Sequence, residues 1–210
     1  MPLVKASQPG PGIATNVADR GYEVLVAELW DADSRVRRTA ARDLATLPAG
    51  APSPAMALCD RLDVETSPSV RSVIMTRLIL FGTPEVAERL TDHLRSDDAQ
   101  LRNAAIEALQ EMPQAVAPLL DRLLADDDSD VRIFAVNILA ALRLDQAPER
   151  LAVVVRTDPH VNVCVAALDG LVEVGGIEMI SDIENLGARF AENAFMRFAV
   201  DTAIRRIRGT

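Results

Sequence analysis

The sequence contains few aromatic residues, histidines and cysteines. Only 3% of its 210 residues are aromatic, and it has one Trp, two His and two Cys. Neither His93 nor His160 belongs to a His-Glu pair, and no His, Cys and Asp residues have the spacing of metal ligands. A glycine-rich phosphate loop and a nucleophile elbow are also absent. The sequence therefore predicts no enzymatic activity, no cofactor and no metal site.

Long hydrophobic runs and an excess of basic residues are also lacking. No stretch approaches the roughly 18 apolar residues of a membrane span, and residues 1–12 are not apolar enough for a signal peptide. Cys59 and Cys164 are far apart and form no C-x-x-C pair, which is typical of reduced thiols. The net charge of −9 repels a phosphate backbone. We therefore expect a cytoplasmic protein that neither binds nucleic acid nor inserts into a membrane.

What the sequence does contain is one helical segment that recurs six times. Its clearest copy, residues 128–142, begins Asp-Ser-Asp-Val-Arg, and the Val of this motif marks a register position that recurs at intervals of 34, 31, 30, 30 and 35 residues. The register residues are Val36, Val70, Leu101, Val131, Val161 and Met196. Apolar residues follow four and eleven positions later, as on one face of a helix. Such a period predicts a solenoid of stacked helical hairpins.

Each copy begins with a residue that can cap a helix. Three positions before the register residues stand Asp33, Ser67, Asp98, Asp128, Asp158 and Asn193. The side-chain oxygen of such residues accepts a hydrogen bond from a free amide at a helix start. We predict the second helix of each repeat over residues 33–47, 67–81, 98–112, 128–142, 158–174 and 193–208, with a first helix before each.

The repeats indicate a single folded domain. We expect residues 1–16, which are rich in Pro and Gly, to form a flexible N-terminal tail. Residues 17–210 are predicted to form an all-α, right-handed solenoid of six hairpins, with about twelve helices. The predicted repeats span approximately residues 17–50, 51–82, 83–112, 113–143, 144–175 and 176–208.

The motif Asp-x-x-Val-Arg carries a family resemblance. It begins at Asp33, Asp98 and Asp128, with Leu replacing Val in the second, and variants begin at Ser67 and Asn193. The motif is similar to that of HEAT repeats, and the short spacing resembles the bacterial subgroup related to phycobilisome lyase repeats. This resemblance implies a ladder of arginines that pair with caps or carbonyls of the next repeat. The implied ladder residues are Arg37, Arg71, Arg102, Arg132 and Arg197.

The fifth copy departs from this pattern at two positions. Asn162 replaces the ladder arginine, and Asp169 stands where the other copies have Leu or Ile. A buried carboxylate must find partners or shift its pKa. Two interpretations remain open: His160, Asn162 and Asp169 form a polar site, or a small rotation of the helix turns Leu168 and Val172 inward and exposes Asp169.

The second helices are expected to line the concave side of the stack. Positions two, five and nine after the register residue lie away from the core stripe, and many of them are apolar in the middle repeats. The candidate strip consists of Met75, Ile79, Ile106, Ile133, Val136, Val163 and Phe198. Exposed apolar patches mark interaction surfaces. Three interpretations remain open: a groove for a partner helix or extended peptide, a homodimer interface, or ordinary burial between neighbouring helices.

Together these patterns predict a non-catalytic scaffold that binds a partner protein along its concave face. The resemblance to phycobilisome lyase repeats implies an alternative, a lyase-like or chaperone-like protein that acts on a tetrapyrrole-bearing protein partner. Visible absorbance distinguishes the two, because a bound chromophore colours the purified protein.

Overall fold

The computed structural model describes residues 20–47 and 52–209, and these residues form helices and short 3-10 turns without any β-strand. The predicted tail over residues 1–16, the start of the first helix at residue 17 and the end of the first repeat at residues 48–50 lie outside the described residues. Within the described ranges the all-α prediction is confirmed.

The α-helices are, in chain order, α1 Tyr22–Glu28, α2 Ser34–Leu44, α3 Pro54–Leu62, α4 Pro68–Phe81, α5 Pro84–Asp92, α6 Ala99–Gln110, α7 Pro113–Val116, α8 Leu120–Leu124, α9 Ser129–Leu142, α10 Ala147–Thr157, α11 Val161–Val174, α12 Ile180–Arg189 and α13 Ala194–Arg208. The 3-10 turns are His93–Arg95, Ala117–Leu119 and Ile177–Met179. Helices α1, α3, α5, α7 with α8, α10 and α12 are the leading helices, and α2, α4, α6, α9, α11 and α13 are the trailing helices. They alternate as the repeat predicts.

Most trailing helices begin at the predicted caps. Asp33, Asp98, Asp128 and Asn193 are N-caps whose side chains accept hydrogen bonds from backbone amides of the first turn. Ser67 is the N-cap of α4 by position, but its side chain makes no capping bond.

The predicted cap Asp158 is an exception. Helix α11 begins only at Val161, and Asp158 is the extended residue that ends α10. The residue before a proline is pushed out of the helical region, and Pro159 follows. The Asp158 side chain instead accepts from the amide of His160, with a distance of 2.8 Å between N and Oδ1.

The fourth leading helix is interrupted. The sequence predicts one helix over residues 114–125, but the 3-10 turn Ala117–Leu119 separates α7 from α8. Pro118 lies in this turn and has no amide proton to continue the helical ladder.

The core lies between the two rows of helices. Each trailing helix packs against the next, from α2 through α4, α6, α9 and α11 to α13. The leading row opens between α8 and α10, where a cavity of about 570 Å³ is lined by Asp121, Val153 and Arg150 among others. The described structure confirms a helical solenoid.

Candidate partner-binding groove

An open groove of about 540 Å³ lies between the trailing helices α4 and α6. Its α4 wall consists of Pro68, Arg71, Ser72, Met75, Thr76 and Ile79. Its α6 wall consists of Gln100, Leu101, Ala104, Glu107, Ala108, Gln110 and Glu111. We call this surface the α4–α6 groove.

The floor of the α4–α6 groove is apolar and its α6 rim is acidic. Met75 is 6% exposed and Ile79 is half-buried, so both present only part of their surface to the groove. On the opposite side Glu107 and Glu111 are exposed. They lie four residues apart and therefore point to the same side of α6.

The structure divides the predicted apolar strip. Met75 and Ile79 line the α4–α6 groove, and Ile106 and Ile133 are half-buried. Phe198 is 65% exposed on the last helix. Val136 and Val163 are both 0% exposed, so their assignment to a partner-accessible surface is corrected: they are core residues. The strip is therefore not continuous.

Close packing between α9 and α11 explains the burial of Val136 and Val163. A Cβ atom added to Gly170 of α11 would lie 3.2 Å from the Cβ of Ala140 in α9 and 3.1 Å from Cδ1 of Leu151. The two small residues allow the helices to approach closely. A helical wheel drawn for one helix gives no information about the distance to the neighbouring helix.

Sequence reasoning missed the α6 wall of the groove. Ala104, Glu107 and Glu111 follow helical spacing but lie one position after the predicted positions two, five and nine of the register. A groove between two adjacent helices has one wall on each helix. On the second helix, the wall is the side that faces the first helix. Considering both flanks of each helix would have identified these residues.

The five ladder arginines share a hydrogen bond that the sequence did not predict. Each of the five arginines donates to the backbone carbonyl six residues before it, in the turn of its own repeat. The acceptors are the carbonyls of Asp31, Glu65, Ser96, Asp126 and Ala191. The expectation that the carbonyls belong to the next repeat is corrected, because the guanidinium folds back over its own inter-helix turn.

Three of the five arginines also pair with a carboxylate of the next repeat. Arg37 binds Glu65 through two hydrogen bonds of 2.8 Å. Arg132 binds Asp158 with Nε–Oδ2 at 2.7 Å. Arg71 binds the cap Asp98 with Nη1–Oδ2 at 2.5 Å. These pairs connect consecutive repeats.

Arg102 and Arg197 do not form such a pair. The guanidinium of Arg102 instead lies over the ring of Phe134 in the next repeat, 5.7 Å from its centroid. Arg197 lies on α13, after which the described chain has no further helix, and its bond runs to the carbonyl of Ala191. Their predicted inter-repeat pairing is therefore corrected.

Glu65 is the most strongly held carboxylate of the ladder. Burial raises its pKa, but hydrogen bonds from Arg37, the amide of Ser67 and Arg61 outweigh this effect and lower the pKa to about 2. A carboxylate held in this way stays ionised throughout the physiological range.

In the fifth repeat, Arg189 of α12 takes the place of the missing ladder arginine. Its guanidinium donates to the carbonyl of Arg156, which lies six residues before Asn162. It also donates to the carbonyl of Asp158 at 2.7 Å and lies 2.9 Å from Sγ of Cys164. The Asn162 departure is therefore accommodated by a cation from the following repeat.

The residues of the predicted polar site do not come together. His160 is the N-cap of α11, and Asn162 and Asp169 are exposed. The last two lie seven residues apart, or about 10 Å along the helix. Leu168 is buried and Val172 half-buried, as the rotation interpretation expects. Although Asp169 is exposed, partial desolvation of its carboxyl group raises its pKa, and the positive charge of Arg206 partly offsets this rise.

The thiols and His93 are held in structural surroundings. Burial raises the pKa of Cys59 to about 12 and also raises the pKa of Cys164, so both are poor nucleophiles. Burial lowers the pKa of His93, although Asp63 lies 3.2 Å from its Nε2.

Within the described ranges no group of three or more His, Cys, Asp or Glu side chains has metal-binding geometry. No described helix is long and apolar enough to span a membrane.

The comparisons with known proteins identify the repeat. Residues 22–110 match the family model of HEAT repeats, so the resemblance seen in the sequence is confirmed over these residues. This segment contains both walls of the α4–α6 groove. No curated protein matches the chain.

Several solved structures are weakly similar. An engineered protein has 21% identity and a TM-score of 0.43 over 90% of this chain and 98% of its own. The complex of CpcE and CpcF of phycocyanin lyase from Nostoc sp. PCC7120 has 17% identity and a TM-score of 0.38, covering 98% of this chain and 100% of the matched chain. A designed armadillo repeat protein has 17% identity and a TM-score of 0.39, covering 87% and 98%. With TM-scores below 0.5, none of these likenesses bears on function.

Proposed function

We propose that this chain, whose residues 22–110 are HEAT repeats, is a non-catalytic scaffold that binds a partner protein in the α4–α6 groove. The observation that carries the proposal is the groove itself. It is open, has an apolar floor of Met75 and Ile79, and lies in the trailing row, where the interface between α9 and α11 is closed. Apolar grooves with polar rims are typical docking sites for a segment of a partner.

The same features support the negative parts of the proposal. Both cysteines are buried thiols with raised pKa values, which favours a reducing compartment such as the cytoplasm and gives no nucleophile. The net charge of −9 and the acidic α6 rim disfavour a phosphate backbone in the groove. A protein segment is therefore the occupant that we propose.

The proposal is tested by blocking the groove with a bulky side chain. Ser72 lines the groove and is exposed, so Ser72→Trp fills the groove without disturbing the core. Asn103→Trp is the matched control, because Asn103 is exposed at the same register position of the next trailing helix and lies outside the groove. The unmodified protein and both variants serve as baits in affinity purification from the native host.

We expect one set of protein partners to be retained by the unmodified protein and by Asn103→Trp, and to be lost with Ser72→Trp. Partners that bind all three baits equally would place the interaction elsewhere. If the chain captures only itself, the homodimer interpretation replaces ours. A visible absorbance band in the purified protein would favour the alternative, action on a tetrapyrrole-bearing protein partner.

A further inference from the structure

We propose that the segment bound in the α4–α6 groove is cationic, with an apolar residue flanked by Lys or Arg. This inference rests on the proposed function and specifies the chemistry of the partner. It follows from the charges that the chain leaves without a counter-charge.

The acidic rim of the groove is not neutralised within the described residues. Glu107 and Glu111 are exposed, and neither takes part in an ion pair there. They lie on one side of α6, about 6 Å apart along its axis. Two carboxylates next to an apolar floor attract a cation more strongly than they would in open solvent.

The arginine that lines the groove cannot supply this cation. Arg71 is engaged at the end of the groove, where its Nη1 lies 2.5 Å from Oδ2 of Asp98 and its Nε donates to the carbonyl of Glu65 at 2.5 Å. Both contacts hold the guanidinium over the inter-helix turn. The charge of the rim therefore remains available to a partner.

Four carboxylates of the leading helices, in contrast, have a counter-charge. They pair across successive repeats, which joins α3 to α5, α5 to α8, α8 to α10 and α10 to α12. The pairs are Asp60–Arg89 at 3.0 Å, Glu88–Arg122 at 2.7 Å, Asp121–Arg150 at 3.4 Å and Asp182–Arg156 at 2.7 Å. These four acids of the leading row are neutralised, whereas Glu107 and Glu111 beside the groove have no ion pair among the described residues.

The dimensions of the groove limit the segment that it can hold. From Pro68 to Ile79, or from Gln100 to Glu111, each wall extends eleven residues, or about 17 Å. This length accommodates about five residues of an extended chain. An apolar side chain would contact Met75 and Ile79 while a neighbouring cation reaches Glu107 or Glu111. A dodecapeptide is longer than this segment, so a library of random dodecapeptides serves as the probe.

The test is a selection of a phage-displayed random dodecapeptide library on the immobilised full chain. Affinities of enriched peptides are then measured by fluorescence anisotropy. The groove variant is Glu107→Lys with Glu111→Lys. The matched control is Asp169→Lys with Glu173→Lys, which makes the same charge change at the same four-residue spacing on α11, outside the groove. Ser72→Trp tests the location.

We expect enriched peptides to contain an apolar residue flanked by Lys or Arg. Their affinity should fall about ten-fold or more in the groove charge variant, weaken with added salt, and change little in the α11 control. An equal loss in both charge variants would indicate general attraction to an acidic protein and overturn the inference. Enriched neutral or acidic peptides that are lost with Ser72→Trp would overturn it as well, while leaving the groove function intact. No enrichment, or peptides insensitive to Ser72→Trp, would overturn the groove function itself.

Discussion

Two pairs of consecutive trailing helices, α4 with α6 and α9 with α11, come from repeats of nearly equal length but form different interfaces. The first pair leaves an open groove of about 540 Å³. The second pair is closed, with Val136 and Val163 completely buried. One repeat pattern therefore produces either an open groove or a closed core interface, and the difference depends on side-chain size.

The position nine residues after the register residue shows this difference. It is occupied by Ile79 and Gln110 in α4 and α6, and by Ala140 and Gly170 in α9 and α11. Small residues let two helices approach, whereas larger ones keep the helices apart and leave space between them.

The arginine–aspartate pairs that form the rungs of the ladder also differ in burial between the two interfaces. Asp98, the partner of Arg71, has a side chain that is 40% exposed, whereas the side chain of Asp158, the partner of Arg132, is 6% exposed. Arg132 also bonds both oxygens of Asp158. The closed interface thus has a buried two-point rung, and the open interface has a rung in contact with solvent.

The largest expected effect comes from placing a carboxylate at the closed interface. Val136→Asp should lower the free energy of unfolding by about 4 kcal/mol, because the added charge is buried without a partner. Ile79→Asp at the open groove should cost only about 1 kcal/mol, since the half-buried side chain can reach water. Urea denaturation of both variants measures the difference, and equal costs would show that the two interfaces do not differ as described.

The rungs give the second comparison. Asp158→Asn should cost about 3 kcal/mol because Arg132 loses a buried counter-charge, whereas Asp98→Asn should cost much less because its pair is solvent-exposed. Thermal unfolding in low and high salt measures both, and only the contribution of Asp98 should decrease with salt. A larger cost for Asp98→Asn would contradict the burial argument.

Lowering the pH should weaken the exposed pair of Arg71 and Asp98. The hydrogen bond from Arg71 holds the pKa of Asp98 below its usual value. The stabilisation from the Arg71–Asp98 pair is therefore fully present above the pKa that Asp98 has in the unfolded chain, about 3.9. It is lost as the pH falls through the lower pKa that Asp98 has in the folded protein. Asp98→Asn should remove this part of the acid-induced loss in an acid titration of stability.

The last comparison is steric. Gly170→Leu adds atoms where even a Cβ would lie 3.1 Å from Leu151, so we expect a cost of about 1 to 3 kcal/mol. Ala104→Leu, on the wall of the open groove, should cost under about 0.5 kcal/mol. Differential scanning calorimetry compares the two. Tolerance of Gly170→Leu would mean that the closed interface can open.

Local features of the fold could be predicted from the sequence because they depend on neighbouring residues. Asp33, Asp98, Asp128 and Asn193 cap the trailing helices as expected, and Gly82 ends α4 in the left-handed conformation. The fold class followed from the six repeated registers. The start of α11 at Val161, instead of the predicted residue 158, also has a local cause in Pro159.

Contacts between repeats could not be predicted in the same way. Arg189 reaches the turn of the fifth repeat from a helix that begins 18 residues after Asn162, at Ile180, and nothing in the local sequence marks this pairing. The α6 wall of the groove escaped prediction for the same reason, since it is defined by its distance from α4.

The sequence by itself determined the helices, their caps, their alternation and the repeat, because each depends on hydrogen bonds and apolar spacing within a few residues. Only the tertiary structure decided which trailing helices touch and which leave a groove, and which arginine completes each turn. Those outcomes depend on how far apart two helices pack, and that distance is set jointly by side chains from separate repeats.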